Sequence, residues 1–474
     1  MSSKPNILVI MSDQHAPDAI GQLGHPVAQT PALNALMDRG LTFTSAYSAY
    51  PMCTPSRASF MTGQLAPEHG VWELGSPLRS DLPTWSHVLR RAGYRTTICG
   101  RMHFVGPDTM HGFEHRIFPQ YAGADPVSPH AYADWGEPQV DSHVMLEAVN
   151  ASGSQDEPTR AEIYDRGVFD AAMAELDSRA QDSDPWAMTV GFFQPHFPFR
   201  ISQPWFDRYE GLEIPLPRTP PGGESYASLI PQQLHDSRKF LGLTDDGLTD
   251  DLVRMARRCY YAMITQVDDM IGRLVHRLEE LGMSDNTWIV YMSDHGENLG
   301  EHGLWSKLNF YEDSVRTPLV IVPPNYRKGG SRCGAHVSHI DWFPTVAELA
   351  GYESWIEEMP GRSLVPLVET PSESWPGRVV IADYACVGTR VPMRMVLRDG
   401  CKASFAAGHP PTLFDLTEDP HEWHDQASDP GKQSLIRDLE LLARGDGWDE
   451  HLTLEHVRIL QRRLRFIGES ESAR

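Results

Sequence analysis

Short apolar runs rich in Ile and Val alternate along this chain with longer stretches of helical periodicity. The first run, NILVIM at residues 6–11, ends in a polar cluster, as a strand buried in a parallel sheet does. Further strands are predicted at residues 41–47, 95–99, 186–193, 287–292 and 319–322. Helices are predicted at residues 31–39, 84–91, 161–179, 250–281 and 340–349. The alternation predicts an α/β fold, with a large and mostly parallel central sheet flanked by helices.

The composition changes near residues 369–377, ETPSESWPG, and this change marks a domain boundary. We predict a main domain at residues 1–370 and a smaller C-terminal subdomain at residues 371–474. The subdomain is predicted to contain short antiparallel strands at residues 379–384, 394–397 and 401–405, followed by two helices. The last helical segment, residues 452–467, could pack on its own domain or on a second subunit.

Charge and cysteine usage restrict the partners and the compartment. Among 474 residues, 41 are Lys or Arg and 64 are Asp or Glu, a net charge of −23 that argues against nucleic acid. No cysteines are close in sequence, so we expect no disulfides and a reducing compartment. The N-terminal apolar run is too short for a signal peptide, and no run is long enough to span a membrane, so a cytoplasmic protein is expected. The cysteines are Cys53, Cys99, Cys259, Cys333, Cys386 and Cys401.

Two of the predicted strands run directly into possible metal ligands. Asp13 and Gln14 follow the first strand, and Asp294 and His295 follow the strand at residues 287–292. Ligands of α/β sheets bind beyond the carboxyl ends of the strands, so these pairs can meet in space. Carboxylates are the main ligands of hard divalent cations. The alternative for each pair is an ordinary polar turn.

The segment YPMCTPSRASFMTG at residues 50–63 carries a rare pentapeptide around Cys53. One interpretation is a turn in which Ser56 caps a short helix and Cys53 is buried and inert. The other starts from Arg57, which is four residues after Cys53 and therefore on the same face of a helix. A helix N-terminus beside a guanidinium is a good anion site.

Several basic side chains are also placed near predicted strand ends. Arg101 and His103 follow the strand at residues 95–99, and His196 follows the strand at residues 186–193. A single histidine is more often structural than catalytic, but these two are better placed than most. Lys307 is either a solvated surface charge or, if close to the metal, an acid for a leaving group.

These pieces together resemble the sulfatases of the alkaline phosphatase superfamily, over nearly the whole chain. The most specific match is C-x-P-S-R at residues 53–57, with Thr62 and Gly63 continuing the longer signature. In the family this peptide directs the oxidation of the cysteine to formylglycine. The resemblance therefore implies a sulfuric ester hydrolase with residues 1–370 as its catalytic domain. The other matches are Asp13-Gln14, G-[KR]-x-H at residues 100–103, Q-P-H at residues 194–196 and S-D-H-G-E at residues 293–297.

The resemblance also implies the ligands of one divalent metal ion and a set of catalytic residues. Calcium is the usual ion, and some relatives use manganese or magnesium. The implied metal ligands are Asp13, Gln14, Cys53 after modification, Asp294 and His295. The implied catalytic residues are Cys53, Arg57, Arg101, His103, His196 and Lys307.

The implied mechanism uses the hydrated aldehyde of formylglycine. Arg57 and the ion would activate one hydroxyl for attack on sulfur. Arg101, with the ion, His103 and Lys307, would stabilise the sulfuryl oxygens. His196 and Lys307 would assist protonation of the leaving alkoxide. His103 would take the proton of the second hydroxyl, which expels sulfate.

The sequence departs from the family pattern at two positions. The family usually has Lys where this chain has Arg101, and a guanidinium cannot give up its proton. Asn is frequent at the fourth metal position, where this chain has His295. An imidazole is a softer ligand and leaves room for manganese or another transition metal.

The substrate alternatives come from subgroups of the family. Residues 100–114 and 448–463 resemble choline sulfatases, although those have a longer tail, which weighs against choline-O-sulfate. A choline pocket would need a carboxylate and aromatic side chains, for which Trp72, Trp135 and Trp305 are available. Residues 191–199 and 413–425 resemble phosphonate monoester hydrolases, which lack the G-[KR]-x-H motif. An aryl or alkyl sulfate monoester is therefore the first expectation, and a phosphonate monoester or phosphodiester is the second.

The remaining expectations concern partners. The intact set of ligands argues against a non-enzymatic relative that keeps only the fold. We expect a small-molecule sulfate ester as substrate and a formylglycine-generating enzyme as partner during maturation. Neither nucleic acid nor a membrane is expected to bind. A homo-oligomer, dimer or tetramer, is expected because cytoplasmic relatives commonly form one.

Overall fold

A nine-stranded sheet forms the centre of the computed structural model, which describes residues 4–121, 144–180, 182, 184–243, 248–326, 329–352, 359–445 and 447–472. The strands in chain order are β1 (Asn6–Ser12), β2 (Leu41–Tyr47), β3 (Arg95–Gly100), β4 (His115–Phe118), β5 (Gly153–Gln155), β6 (Trp186–Gly191), β7 (Arg200–Ser202), β8 (Thr287–Ser293), β9 (Arg316–Val322), β10 (Ser331–Cys333), β11 (Val337–Ser338), β12 (Val380–Tyr384), β13 (Met393–Arg398), β14 (Cys401–Ala406) and β15 (Thr412–Asp415). The helices are α1 (Pro31–Arg39), α2 (Cys53–Thr62), α3 (Ala66–His69), α4 (Trp85–Arg91), α5 (Val144–Asn150), α6 (Arg160–Arg179), α7 (Gln203–Phe206), α8 (Tyr226–Leu229), α9 (Gln232–Phe240), α10 (Asp250–Glu280), α11 (Glu312–Val315), α12 (Trp342–Leu349), α13 (Val365–Glu369), α14 (Gln433–Ala443) and α15 (Glu450–Ser472).

The central sheet has the strand order β10-β2-β9-β8-β1-β6-β3-β4, and β11 pairs with β2 beside this path. Strand β9 is antiparallel to its neighbours β2 and β8, and the other pairs are parallel. The predicted α/β fold with a mostly parallel sheet is confirmed. Every residue of β1, β6 and β8 is buried, which explains why these strands read as continuous apolar runs.

Helices cover both faces of this sheet. Alternate residues of β1 point to opposite sides, so Leu8 and Ile10 pack with α1, α6 and α10, whereas Val9 packs with α4 and α12. Strand β6 ends at Gly191, two residues before the predicted end. The N–H group of Phe192 still donates to the Met11 carbonyl oxygen, whereas those of Phe193 and Gln194 donate to the buried carboxylate of Asp165 at 2.7 and 2.9 Å and leave the ladder.

The C-terminal region forms a four-stranded antiparallel sheet in the order β12-β13-β14-β15, on which α14 packs. The three predicted strands are confirmed, and the four-residue strand β15 was missed because so short a segment has no readable period. One hydrophobic cluster joins Met395 of this sheet and Val457 of α15 to Tyr50 and Trp72 of the main region. The division at residue 370 stays a prediction.

Two further observations concern the cysteines and the helices. All six cysteines are free thiols. Within the ranges described above, none of the helices is long and apolar enough to cross a membrane.

Candidate active site

Four neighbouring strands of the sheet bring the predicted residues to one edge. Strands β8, β1, β6 and β3 lie side by side and parallel, so their carboxyl ends share one side of the sheet. Asp294, Asp13 and Arg101 follow β8, β1 and β3, and all three side chains are buried. These side chains therefore lie at the carboxyl ends of the strands, where ligands of α/β sheets are expected to bind.

The backbone at this edge allows an unusually close approach of two strands. A Cβ atom on Gly191 would lie 2.0 Å from the carbonyl oxygen of Arg101, and one on Gly100 would lie 2.4 Å from that of Gly191. Gln14 and His103 adopt left-handed backbone conformations, with φ of 71° and 54°. Such conformations cost free energy in residues other than glycine and cluster at functional sites.

Cys53 is the first residue of α2, a helix whose ten residues are all buried. Its Sγ atom lies 3.5 Å from Oδ1 of Asp13 and 3.2 Å from Nε2 of His295. Ser56 does not cap this helix, because the N-cap position is Met52 and no side chain caps it. The Ser56 hydroxyl instead donates to the carbonyl oxygen of Asp294 at 2.6 Å, which ties α2 to the end of β8.

The ligand atoms of Asp13, Cys53, Asp294 and His295 all lie within 4.8 Å of one another. Nδ1 of His295 lies 3.0 Å from the Gly296 carbonyl oxygen, which can only accept, so Nδ1 carries a proton. The lone pair of the neutral ring is then on Nε2, which faces Cys53. Burial lowers the pKa of His295 to about 4, which keeps the ring neutral. Two carboxylates and one neutral imidazole fit a divalent cation.

Two guanidinium groups surround the carboxylates. Arg57 donates from Nε to Oδ2 of Asp294 at 2.9 Å and from Nη2 to Oδ2 of Asp13 at 3.1 Å. Arg101 donates from Nε to the same Asp13 oxygen at 2.5 Å. Burial would raise the pKa of Asp13, but the Arg101 charge, with further cations, holds that pKa well below its usual range. Both acids are thus held in position before any ligand arrives.

Arg57 also contacts the end of strand β3. Besides its two carboxylate partners, Arg57 donates from Nη1 to the carbonyl oxygen of Arg101 at 2.5 Å. All three nitrogens of the group therefore have protein acceptors. Arg57 therefore connects the start of α2 with the ends of β1, β3 and β8, and it orients both carboxylates.

His103 receives a hydrogen bond from Arg101, whose Nη2 lies 3.0 Å from Nδ1 of the imidazole. A guanidinium can only donate, so Nδ1 accepts and the neutral ring carries its proton on Nε2. Burial and the Arg101 charge hold the pKa of His103 well below its usual value, and the ring is neutral at pH 7. His103 can then donate from Nε2, and it accepts a proton only if Arg101 releases Nδ1.

Lys307 and His196 form a second pair at the site. Nζ of Lys307 lies 3.1 Å from Nε2 of His196 and also donates to Oε1 of Gln14. Nδ1 of His196 lies 2.7 Å from the Phe197 carbonyl oxygen, so this nitrogen carries the proton of the neutral ring. Burial and the nearby Lys307 charge hold the pKa of His196 well below its usual value. Nε2 of His196 therefore accepts from Lys307, whose side chain is buried rather than solvated.

Sequence reasoning assigned no role to two further residues that organise the site. Glu297 accepts from Nε2 of Gln14 and from the backbone N–H of Ser306, so it holds both a predicted metal ligand and the loop before Lys307. Nδ1 of His339 lies 3.2 Å from the Ser56 hydroxyl. Glu297 is the last residue of the S-D-H-G-E motif, so a signal existed for it, whereas His339 has no local signal.

The structure describes two of the three tryptophans considered for a choline pocket. Trp72 and Trp305 are both buried in the cluster that contains Tyr50. Trp135 lies outside the described residues. Glu73, next to Trp72, is also buried.

The family of this chain follows from its similarity to known proteins. The family model described as sulfatase matches residues 5–352, which include every predicted site residue. The chain belongs to the sulfatase family. A second model, described as the C-terminal region of N-sulphoglucosamine sulphohydrolase, matches residues 300–444 of this sulfatase.

Individual relatives agree with this assignment. The sulfatase is 36% identical to a choline-sulfatase from Rhizobium meliloti (strain 1021), over 90% of this chain and 83% of the relative. It is 29% identical to the multifunctional alkaline phosphatase superfamily protein PehA of Trinickia caryophylli, over 92% of this chain and 94% of the relative. The structure of a phosphonate monoester hydrolase from Silicibacter pomeroyi superposes with a TM-score of 0.73 at 26% identity, covering 93% and 94% of the two chains. The fold is that of the alkaline phosphatase superfamily, and the enzyme is a sulfuric ester hydrolase.

Proposed function

We propose that this sulfatase hydrolyses a sulfate monoester of an alkyl or aryl alcohol through formylglycine formed from Cys53. One observation carries the proposal: Cys53 begins a buried helix with its Sγ 3.2 to 3.5 Å from the ligand atoms of His295 and Asp13. The hydrated aldehyde would supply one hydroxyl for attack on sulfur and a second hydroxyl whose deprotonation releases sulfate.

The residues around Cys53 suit one divalent cation. Asp13, Gln14, Asp294 and His295 would hold it, together with an oxygen of the modified residue 53. A bound cation would withdraw charge from the sulfuryl group and lower the pKa of the attacking hydroxyl. Calcium is the proposed ion, although the imidazole of His295 would also suit manganese. Arg57 would keep the two carboxylates in place.

The basic residues would act on the substrate in the first step. As the attacking oxygen forms its bond to sulfur, the bond from sulfur to the ester oxygen breaks and its electron pair stays on the leaving alcohol. Lys307 would donate a proton to that oxygen, and the neutral His196 beside it would orient the ammonium group. Arg101 and Nε2–H of His103 would donate to the sulfuryl oxygens.

Sulfate release would use His103 in a second role. Its Nδ1 would accept the proton of the second hydroxyl after Arg101 turns away to the departing sulfate. The bond from carbon to the sulfate oxygen would then break, and the aldehyde would be restored. Maturation requires a formylglycine-generating enzyme as a transient partner, and we propose a cytoplasmic site of action.

Intact-peptide mass spectrometry tests the nucleophile. Conversion of Cys53 to formylglycine lowers the mass of its peptide by about 18 Da. The expected result is this mass in active enzyme, and Cys53→Ala should lose at least about a thousandfold in kcat/KM for 4-nitrophenyl sulfate. Cys386→Ala, a change at another buried thiol, is the matched control and should keep most activity. Full activity in a preparation whose peptide carries only cysteine would contradict the proposal.

A phosphonate monoester or phosphodiester is the alternative substrate, because PehA and the Silicibacter pomeroyi enzyme are similar over nearly the whole chain. Arg101 and His103 favour sulfate, because they match a motif expected of sulfate ester hydrolases. The test compares kcat/KM for 4-nitrophenyl sulfate, 4-nitrophenyl phenylphosphonate and bis(4-nitrophenyl) phosphate, which share one leaving group. A higher value for either phosphorus ester would favour the alternative.

Choline is the first candidate for the alcohol, because the choline-sulfatase of Rhizobium meliloti is similar over most of both chains. Choline-O-sulfate should be compared with 3,3-dimethylbutyl sulfate, which has the same shape and no positive charge. A preference for choline-O-sulfate of tenfold or more would support cation recognition, which is about 1.4 kcal/mol of transition-state binding. Equal rates would leave a neutral alkyl or aryl sulfate as the substrate.

A further inference from the structure

Lys307 lies in a short stretch of chain, residues 306–312, here called the lysine segment. Its two neighbours, Ser306 and Leu308, have positive φ angles of 66° and 87°. Such left-handed backbone conformations cost free energy in residues other than glycine, and they persist only where the surrounding structure holds them. The position of the Lys307 amine therefore depends on the contacts that fix this segment.

Two buried charged side chains fix the ends of the lysine segment. At its start, the carboxylate of Glu297 accepts from the backbone N–H of Ser306 at 2.6 Å. Towards its end, Lys402 of β14 donates from Nζ to the carbonyl oxygen of Phe310 at 2.7 Å. Both side chains are buried. Glu297 is close to the segment in sequence, whereas Lys402 follows Phe310 by 92 residues and belongs to the C-terminal sheet.

The Lys402 ammonium group is itself held by two carboxylates. Its Nζ donates to Oε1 of Glu312, the last residue of the lysine segment, at 2.8 Å, and lies 2.6 Å from Oε1 of Glu422. Burial alone would lower the pKa of Lys402, but the charges of Glu312 and Glu422 raise it, so the group stays charged. Glu422 also accepts from the backbone N–H of Glu312 at 2.7 Å. These contacts leave the ammonium group little freedom, and they fix the Phe310 carbonyl oxygen that it binds.

The C-terminal region also contacts the middle of the lysine segment. Leu308, directly after Lys307, is buried. A Cβ atom on Gly388, in the connection between β12 and β13, would lie 3.1 Å from Cδ1 of Leu308. The connection approaches Leu308 this closely because residue 388 has no side chain. Lys402 and Gly388 thus hold the part of the segment that follows Lys307.

We propose that Lys402 is a positioning residue for the reaction: through the backbone of Phe310 it holds Lys307 within reach of the leaving oxygen. Lys402 keeps its own protons, and the proton that reaches the leaving alcohol comes from Nζ of Lys307. The C-terminal sheet thereby takes part in the reaction. The inference rests on the proposed function, in which Lys307 protonates that alcohol.

Lys402→Met tests the proposal, because methionine has a similar length and cannot donate. We expect kcat/KM to fall by about 10- to 10²-fold for 3,3-dimethylbutyl sulfate, whose alkoxide must be protonated, since small displacements of a catalytic group are costly. For 4-nitrophenyl sulfate, whose phenolate leaves unprotonated, the loss should be less than about threefold. The ratio of the two values does not depend on how much of a preparation is folded, so a loss of stability alone cannot change it. Equal losses for the two esters would overturn the proposal.

Arg378→Met is the matched control. Arg378 is a buried cation just before β12, and its Nη2 lies 2.6 Å from Oδ1 of Asp341, so the substitution breaks another buried ion pair of the C-terminal region. It should leave the ratio unchanged, and a change as large as that in Lys402→Met would contradict the proposal. If Lys402→Met does not fold, adding Glu422→Gln removes the carboxylate that would be buried without its cation. This double variant should show the same change of ratio, and an unchanged ratio would again overturn the proposal.

A double-mutant cycle with Lys307→Met shows whether Lys402 acts through Lys307. Lys402→Met should change the ratio of the two kcat/KM values in wild type and have no further effect in Lys307→Met, where the proton donor is already missing. A further change in the combined variant would contradict the action through Lys307. A ratio that Lys307→Met changes and Lys402→Met does not would overturn this inference alone. A ratio that Lys307→Met leaves unchanged would overturn the proton donor of the proposed function, and this inference with it.

Discussion

Nε of Arg101 donates to Oδ2 of Asp13 at 2.5 Å, and the same guanidinium reaches Nδ1 of His103 through Nη2. The side chain thus connects a predicted metal ligand to a predicted base. A lysine carries the same charge on a single nitrogen and cannot reproduce this fixed pair of directions.

Arg101→Lys should therefore lower kcat by about tenfold, the effect of losing one charge-assisted hydrogen bond. Arg101→Gln, which also loses the charge, should lower it further. Steady-state kinetics with 4-nitrophenyl sulfate measure both effects. Arg166→Lys, at an exposed position on α6, is the control and should behave like wild type. Unchanged kcat in Arg101→Lys would show that the two fixed hydrogen-bond directions of the guanidinium have no role in catalysis.

Lys307→Met should lower kcat/KM more for esters with a poor leaving group than for esters with a good one. Nζ of Lys307 and Nε2 of His196 are 3.1 Å apart, a pairing suited to protonate a leaving oxygen. We expect kcat/KM to fall by about 10²- to 10⁴-fold for an alkyl sulfate and much less for 4-nitrophenyl sulfate, whose phenolate leaves unprotonated. A series of aryl and alkyl sulfates measures the slope against leaving-group pKa. An equal loss for every ester would instead place the Lys307 charge on the sulfuryl oxygens.

His295→Asn should change which metal ion supports activity. The substitution replaces a nitrogen ligand by an amide oxygen, which favours calcium over manganese. After removal of metal by a chelator, each ion is added back and both activity and Tm are recorded, because a bound ion stabilises the fold. The ratio of activity with calcium to activity with manganese should rise by about tenfold. Asp294→Asn is the comparison and should weaken the response to both ions. An unchanged ratio in His295→Asn would argue against His295 as a ligand.

Glu73 should make the folded state less stable as the pH rises. Burial raises its pKa to about 8, and the Gln461 side chain offsets only part of that rise. The folded chain keeps this proton up to about pH 8, whereas the unfolded chain loses it near the ordinary value of 4.5. The group therefore lowers stability as the pH rises from about 4.5 to 8.

Glu73→Gln removes this titration. Its Tm should match that of wild type at about pH 5 and exceed it above pH 8, as measured by calorimetry across this range. Glu224→Gln, at an exposed position, is the control and should show no such divergence. A constant difference in Tm between Glu73→Gln and wild type at all pH values would contradict the prediction.

Much of the fold could be predicted from the sequence, because the signals for its strands and helices are local. Strand β2 and helix α1 have the predicted bounds, since both are short segments with clear periods and turn residues at their ends. The end of β6 could not be predicted, because the N–H groups of Phe193 and Gln194 donate to Asp165 on helix α6 rather than to a neighbouring strand. The local sequence does not indicate that a distant side chain competes with strand pairing.

The sequence by itself determined which residues stand at the strand ends and that Cys53 and Arg57 share a helix face, because period and spacing are properties of consecutive residues. Only the tertiary structure decided what those side chains do there. The structure places the three nitrogens of Arg57 on Asp13, Asp294 and the Arg101 carbonyl oxygen, three partners that the spacing of Cys53 and Arg57 does not indicate. Partners separated by tens or hundreds of residues are selected by packing and by the need to satisfy buried charge, and both exist only in the folded chain.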